Sequence, residues 1–430
     1  MRDLLILFLL FAGSAAALKH PYIGAYTWTW LSIMNPHRLG WGAAVDFPVT
    51  MIAAIATLIG LVISRDPKRF PITAATVTLG CFVLWMCVTT VFAVHSAGSW
   101  EQLDKVIKIQ LMVFVTLAVL NSRQQIEIFL WINVISLGFF GVKGGLFTIT
   151  TGGNFRVWGP PGSFIEGNNE IALALIILIP LLRYLQISAT KPWLKHALTA
   201  AMVLSAGAAL GSHSRGALLA IAAMAFWLWL KSRNKLPFGI LIVLVGILLI
   251  IFMPEHWTSR MKTIDDYQED GSAMGRINAW WMCFNLAKDR FLGGGFDIYT
   301  PDFFAAYAPN PADIHAAHSI YFQVLGEHGF IGLLLFLLVW FFTWRTAAWV
   351  QRQGKKHPDT QWTSDLAAMI QVSLVGYAVG GAFLSLAYFD LPYNLLIIIV
   401  LTQRWLQEWQ PVQAVPATLA EQSSRWKAAT

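Results

Sequence analysis

Charge is what this 430-residue chain has least of. Asp, Glu, Lys and Arg fill 12% of its positions while hydrophobic residues fill 57%, and the mean hydropathy is +0.58, far from the roughly 25% charge of a soluble domain. Water is therefore excluded as the solvent for most of the surface; a bilayer takes that role. Cysteine is scarce too. Cys81, Cys87 and Cys283 show no metal-ligand spacing, and the first two sit inside an apolar run, so all three read as packing residues. Also missing are paired Gly/Pro-broken spans in two matching halves, the mark of a transporter with internal repeats, and any low-complexity segment beyond the Ala- and Gln-containing tail after Pro411.

Apolar runs of about 18 residues or more recur along the chain, each long enough to cross the ~30 Å hydrocarbon core as a helix. An open sheet is ruled out there, because its edge groups would go unsatisfied in lipid. The twenty Trp suit interfacial belts and helix contacts. The fold class read from this is all-α, a polytopic membrane protein. The net charge of +7 invites a nucleic-acid partner, but the distribution argues against one. Basic residues cluster at Arg65, Lys68 and Arg69, at Lys191 and Lys195, at Lys231, Arg233 and Lys235, and at Arg352, Lys355 and Lys356. Each cluster lies in a short loop between apolar runs, where cytoplasmic basic residues fix orientation.

With those loops inside, eleven spans follow, near residues 47–64, 73–94, 103–120, 125–147, 169–187, 196–212, 215–231, 237–253, 319–347, 366–388 and 391–408. Residues 3–34 are divided by Lys19, His20 and Pro21 into pieces short for separate crossings. One bent crossing with Arg2 inside gives about twelve spans with both ends cytoplasmic; a signal peptide cleaved near Ala17 also satisfies the orientation. Three outer segments stand out: the Gly- and Pro-rich 148–168, the tight Gly211 to Gly216 link, and Pro254 to His318. The last is the one long hydrophilic stretch, at roughly 65 residues, and loops longer than ~15 residues are usually functional or disordered. Its middle, Ala273 to Lys288, has a helical pattern with Trp280, Trp281 and Phe284 able to rest on the membrane or on the bundle. The chain thus divides into N-terminal spans 1–147, a core 148–345 that includes the loop 254–318, C-terminal spans 346–410 and a cytoplasmic tail 411–430.

Charged groups at the mouths of spans are costly without a partner or ligand. Arg215 stands in Gly-Ser-His-Ser-Arg-Gly, and Arg276 opens the amphipathic helix of the large loop. Arg156 precedes Val-Trp-Gly-Pro-Pro, with Gly167, Asn168, Asn169 and Glu170 following at the start of a span; His315 and His318 stand at the mouth of the next outer-facing span. Arginines gathered at one outer cavity suit a phosphate-bearing ligand, because guanidinium presents planar paired donors. A histidine beside them can take a proton from an acceptor hydroxyl, while the arginines neutralise a departing pyrophosphate. That chemistry needs no divalent metal. His315 and His318 share a helix face as a metal pair would, but no third ligand is obvious. Each arginine could equally be an interfacial anchor, the Ser-His-Ser of residues 212–214 has no nucleophile geometry, and Asp390 caps the turn between the last two spans as an N-cap would.

The order of these motifs resembles the O-antigen ligase and polymerase superfamily. It runs from Arg156 with Gly-Asn-Asn-Glu, through Ser-Arg-Gly and Gly-Arg, to Gly293-Gly294-Gly295-Phe296, then His-Ser-Ile-Tyr-Phe-Gln with Glu327-His328-Gly329-Phe330-Ile331-Gly332, over roughly residues 150–345. The stretch from Trp30 to Arg38 is similar to the start of exosortase-associated O-glycosylation ligases. The resemblance implies a glycosyltransferase of the bacterial inner membrane, working at the periplasmic face. It implies a donor glycan on undecaprenyl pyrophosphate, a lipid A-core acceptor, an inverting reaction and no cofactor. It implies that Arg215 and Arg276 hold the pyrophosphate and that His318 is the base, with Arg156, Asn168, Asn169, His315 and Asp390 as further substrate contacts. One departure is Ser319, where the family commonly has Asn. The motifs do not separate a ligase from a polymerase or a protein O-oligosaccharyltransferase, since only the acceptor differs. A lipid-linked glycan transporter would need charge near the middle of spans, which residues 47–253 keep mostly at the ends.

Overall fold

Pro21 begins a helix instead of bending one. Proline fits the first turn of a helix, where its missing N–H has no partner to lose, so α1 (Arg2–Lys19) stops and α2 (Pro21–Met34) starts afresh. In the computed structural model, which describes residues 2–231 apart from 41 and 43, five positions between 235 and 244, and residues 271–410, these two helices form an antiparallel hairpin. Small residues let them close on each other and on α3 (Val49–Ile63). A Cβ on Gly13 would lie 2.4 Å from Thr27 Oγ1, one on Gly24 2.8 Å from that of Ala17, and one on Gly60 2.0 Å from the Ala17 carbonyl. Asp3 comes back beside Gly40 and Gly42. The single bent crossing expected for residues 3–34, with Arg2 inside, is therefore corrected to two helices lying side by side, which puts Arg2 at the end opposite the hairpin tip, beside Arg38 and Pro161. His20, at the hairpin tip, pairs with Asp66 at 3.0 Å.

The described residues are helical, with no strand among them. After α3 come α4 (Ala74–Val91), α5 (Ser96–Val119), α6 (Arg123–Thr150), α7 (Asn168–Ser188), α8 (Pro192–Gly211) and α9 (Arg215–Lys231), then α10 (Gly271–Asp289), α11 (Pro301–Tyr307), α12 (Ile320–Gly354), α13 (Gln361–Gly381) and α14 (Asp390–Glu408). Five of these, α4, α6, α7, α8 and α12, are long and apolar enough to cross a membrane; α3 and α9 are shorter apolar helices. The expected span at 237–253, apart from residues 239, 240 and 244, the start of the large loop at 254–270 and the tail at 411–430 fall outside the described residues. Thr73 and Ser122 open α4 and α6 with reciprocal caps, each bonded to the backbone three residues on.

The core centres on α7 and α14, whose apolar stretches 171–178 and 395–401 are buried all round. Pro180 interrupts the α7 ladder, and Ser373 donates to the nearby Ile177 carbonyl at 2.7 Å. The bundle has two distinguishable ends. At one, Arg404 donates to the carbonyls of Arg69 and Leu120, and Asn121 donates to that of Pro67 at 2.7 Å, so the Arg65–Lys68–Arg69 cluster is gathered there with the hairpin tip. The other end holds α10, α11, the 148–168 segment and the Gly211 to Arg215 link. Cys81 is exposed on the flank of α4 and Cys87 is half-buried; of the three cysteines expected to pack, Cys283 alone is fully buried.

The 35-residue α12 is broken at Gly329, whose φ of 68° and ψ of −173° are open only to glycine. The break leaves carbonyls of the preceding turn without helical partners. Gly294 donates to Gly326 O at 3.0 Å, Gly295 to Glu327 O at 3.0 Å, and the Trp85 indole to His328 O at 2.9 Å. The glycines at 293 and 295 have φ of 70° and 87°; side chains there would collide with α12 and with Ala93. The triple-glycine motif and the Glu-His-Gly motif are thus two halves of one joint.

Candidate functional site

The site end is organised by α10. Its inner face, Ala279, Met282, Cys283 and Leu286, buries against Ile298, Phe303, Phe304 and Ala317 in a small core of its own. Polar residues on the same helix tie down the segment that leads into α12. Asn278 donates to the carbonyls of Asn310 and Asp313 at 2.8 and 2.9 Å and accepts from Asn310 N at 2.8 Å. Trp280 donates to Ala317 O at 2.7 Å and stacks on Phe322 with ring centroids 5.0 Å apart. Gly275 lets the His315 ring lie on the helix, since a Cβ there would be 2.8 Å from His315 Nδ1. That nitrogen is already engaged, 2.7 Å from Asp313 Oδ1.

His318 comes out of this arrangement with a left-handed backbone, φ 45°, a conformation that costs a non-glycine residue about 1–3 kcal/mol and is tolerated where surroundings over-determine it. Its Nδ1 is buried and makes no hydrogen bond among the described residues. Burial, then the Arg276 guanidinium, then His315 lower its pKa to about 4, so the ring is neutral at physiological pH and keeps a lone pair. Arg276 acts on Glu170 as well, which brings the start of α7 to the same place. Arg276 is thus within electrostatic reach of His318 and Glu170, and His315 lies against Gly275 next to it in the chain.

Arg215 is held by a tight turn. Asn168 is buried and donates to Ser212 O at 2.8 Å; His213, at φ 58°, places Nε2 2.9 Å from Gly153 O; Ser214 Oγ accepts from Ala217 N at 3.2 Å and so caps α9. The Ser-His-Ser run is a turn and cap, with Ser212 donating to Ala209 O at 2.6 Å. Asn168 therefore reaches the turn before Arg215 with its amide, and Asn169 is half-buried beside it in the first turn of α7. Asp390 is not an N-cap: it is the first residue of α14, behind Phe389, and its buried carboxylate accepts from Ser32 Oγ of α2 at 2.5 Å. Arg156 is exposed and lines a different cavity, together with Lys143 and Pro160.

The Glu-His-Gly motif stands out in the sequence, but nothing in the pattern assigns Glu327 a role. Its carboxylate is 3% exposed and accepts from Tyr388 OH and, at 3.3 Å, from Gln323 Nε2. Gln323 Oε1 is buried without a hydrogen bond among the described residues. Both side chains line a cavity of about 380 Å³ with Glu101, Asp297, Tyr299 and Phe296. Gln323 N bonds to Ser319 O at 2.8 Å, which sets this polar cavity one helical turn from His318. A second, apolar cavity of about 300 Å³ flanks Arg276, lined by Ile277, Trp280, Trp281, Phe284 and Phe322. The signal for Glu327 lay in its being an acid inside an apolar span, where such a group needs a stated partner or task. Among the described residues no group of three His, Cys, Asp or Glu has the geometry to hold a metal ion.

Compared with known families, residues 200–337 match the model of the O-antigen ligases, a span that contains Arg215, Arg276, His318 and Glu327. Residues 1–190 match a family of unknown function. No curated protein matches the chain.

Proposed function

We propose, from the match of residues 200–337 to the O-antigen ligases, that this chain transfers a glycan from undecaprenyl pyrophosphate to a sugar hydroxyl of lipid A-core at the periplasmic face of the inner membrane. The observation that carries the reading is His318 within electrostatic reach of Arg276: a neutral, half-buried imidazole whose buried Nδ1 makes no hydrogen bond among the described residues, at the mouth of a span. In the proposed reaction His318 takes the proton of the acceptor hydroxyl. The acceptor oxygen then bonds to the anomeric carbon from the face opposite the leaving group, and the bond from that carbon to the pyrophosphate oxygen breaks with inversion. Arg276 and Arg215 neutralise the departing pyrophosphate, the term that usually contributes most in such transfers.

Two cavities support this arrangement. The apolar one along Ile277, Trp280, Trp281, Phe284 and Phe322 suits the polyprenyl chain of a donor whose pyrophosphate meets Arg276. The polar one, with carboxylates, amides and Phe296, suits acceptor sugar hydroxyls, which carboxylate and amide groups bind in pairs. Donor arrival would also activate the base. Burial is the main cause of the low His318 pKa and Arg276 the second; a pyrophosphate beside Arg276 would offset that second cause, so the basicity rises in part when the donor is in place. The orientation rests on the basic loops, with the Arg65–Lys68–Arg69 end in the cytoplasm; the count of about twelve passes rises by one when α1 and α2 both cross.

The test is transfer from a synthetic undecaprenyl-pyrophosphate glycan to purified lipid A-core in detergent with EDTA, for wild type, His318→Ala, Arg215→Ala and Arg276→Ala. Transfer that survives chelation and is lost in folded variants is the expected result. Lengthening of the donor, or labelling of protein, in place of transfer would reassign the chain to a polymerase or a protein O-oligosaccharyltransferase. Full activity in His318→Ala would remove the base.

A further inference from the structure

Four cations meet around a joined pair of cavities at the site end, on the opposite part of the sequence from the ligase match. Arg2, Arg38 and Lys143 line a cavity of about 740 Å³, and Lys143 and Arg156 line a neighbouring one of about 310 Å³; the two share Leu39, Lys143 and Pro161. The cations come from four separate elements: the start of α1, the 36–39 turn, α6 and the 151–167 segment. None of the lining residues is acidic, and among the described residues none of the four cations is ion-paired. Of the acids nearby in sequence, Glu166 accepts from Gly162 N at 2.8 Å, and Asp3 lies beside Gly40 and Gly42 at the rim with its Oδ1 buried and making no hydrogen bond among the described residues.

The rest of the wall is apolar: Leu5, Ile6, Leu9, Trp30, Met34 and Phe139. Leu5, Leu9 and Phe139 are exposed on the bundle flank, so the larger cavity is open toward the bilayer. Lys143 lies two turns inside the 28-residue apolar α6. A lone ammonium at that depth is costly unless an anion joins it. Gly162, at φ 69°, allows its loop to close over Arg38, where even a Cβ would come within 3.4 Å of the guanidinium carbon. Interfacial anchors snorkel outward one by one; here four line two adjoining cavities that share Lys143 and whose walls are otherwise mostly apolar.

We propose that this hollow is a binding site for a membrane lipid with a phosphate headgroup, the phosphate held by Arg2, Arg38, Lys143 and Arg156 and a chain lying along α1, α2 and α6. The occupant follows from charge complementarity at the rim and apolar walls below it, a combination that a free anion or a neutral lipid would satisfy only in part. All four cations lie within residues 1–190, so the site gives a task to the region whose matching family has none assigned. It shares no lining residue with the Arg276–His318 neighbourhood, and it stands or falls apart from the glycosyl-transfer reading.

The test is native mass spectrometry of the full chain, released from detergent micelles containing equal phosphatidylglycerol and phosphatidylcholine, with wild type compared to Arg38→Gln/Lys143→Gln and to Arg156→Gln. Wild type should retain phosphatidylglycerol in preference to phosphatidylcholine. Each cation removed should reduce that preference about fivefold, as about 1 kcal/mol per basic residue at a lipid surface implies. Equal retention of the two lipids by wild type would overturn the proposal, as would an unchanged preference in folded variants. A parallel thermal-shift arm uses inorganic phosphate alone: stabilisation equal to that by phosphatidylglycerol would mean that the hollow reads an anion without a chain, which also overturns it. The wild-type comparison decides the matter even where the double variant fails to fold.

Discussion

The indole N–H of Trp280 donates to the carbonyl of Ala317 at 2.7 Å, and Ala317 is the residue just before His318. One hydrogen bond from the amphipathic helix therefore fixes the peptide that carries the proposed base in a backbone conformation it would not adopt unaided. Trp280→Phe keeps the ring stack on Phe322 and deletes only this donor. Transfer should drop about tenfold while the melting transition reports a loss of about 1 kcal/mol, the usual worth of one such bond. Wild-type turnover in this variant would mean that Ala317 is held by something else.

The His318 ring gives a signature in pH. Burial, Arg276 and His315 hold it at about 4, against roughly 6.5 in an unfolded chain. Between those values the unfolded chain binds a proton that the native one does not, so this residue's contribution to stability is complete above the unfolded value and is lost as pH falls toward the folded one. Unfolding followed from pH 7 to 4.5 should show a steeper loss for wild type than for His318→Asn. In kinetics, the acid limb of kcat/KM should sit near 4 and that of kcat higher, since donor-bound enzyme has its Arg276 charge offset. Coincident limbs would contradict coupling between donor and base.

Gly329→Ala tests the joint in α12. Its φ of 68° excludes a side chain, and a Cβ would stand 2.4 Å from the Phe291 carbonyl. The backbone term alone costs about 1–3 kcal/mol, so the variant should unfold at lower denaturant and lose transfer. A variant with unchanged stability would show that the break is not needed.

Much of this fold could be read directly from residue pattern. The helix α10 was expected at Ala273–Lys288 and is found at Gly271–Asp289, because its apolar residues recur at helical spacing. The hairpin was missed because α2, at 14 residues, is short by the rule of thumb for a crossing, and because Pro21 after Lys19-His20 reads equally as a bend or as a fresh start. The candidate site was legible by type and only partly by place. Arginine and histidine at span mouths drew notice because charge there is rare. That Asn168 reaches Ser212 while Asp390 turns to Ser32 depends on helix rotation about the bundle, which no single-sequence period fixes.

Glu327→Gln probes the acceptor side. The substitution keeps the volume and the bond from Tyr388 while replacing one carboxyl oxygen at the polar cavity with an amide nitrogen. The KM for acceptor should rise about tenfold with that for donor unchanged, given about 1 kcal/mol for one hydrogen bond lost to the acceptor. Initial rates at varied acceptor and fixed donor measure this; a change confined to donor KM would move Glu327 to the donor side.

A helix broken at one residue behaves as two parts with separate duties. The segment 320–328 meets the cavity, while 330–354 meets hydrocarbon, and the glycine between them carries no register from one to the other. Substitutions in the first part can therefore reshape the cavity wall without turning the second part among α4, α13 and α14. The joint lets cavity lining and bundle packing vary separately on either side of one residue.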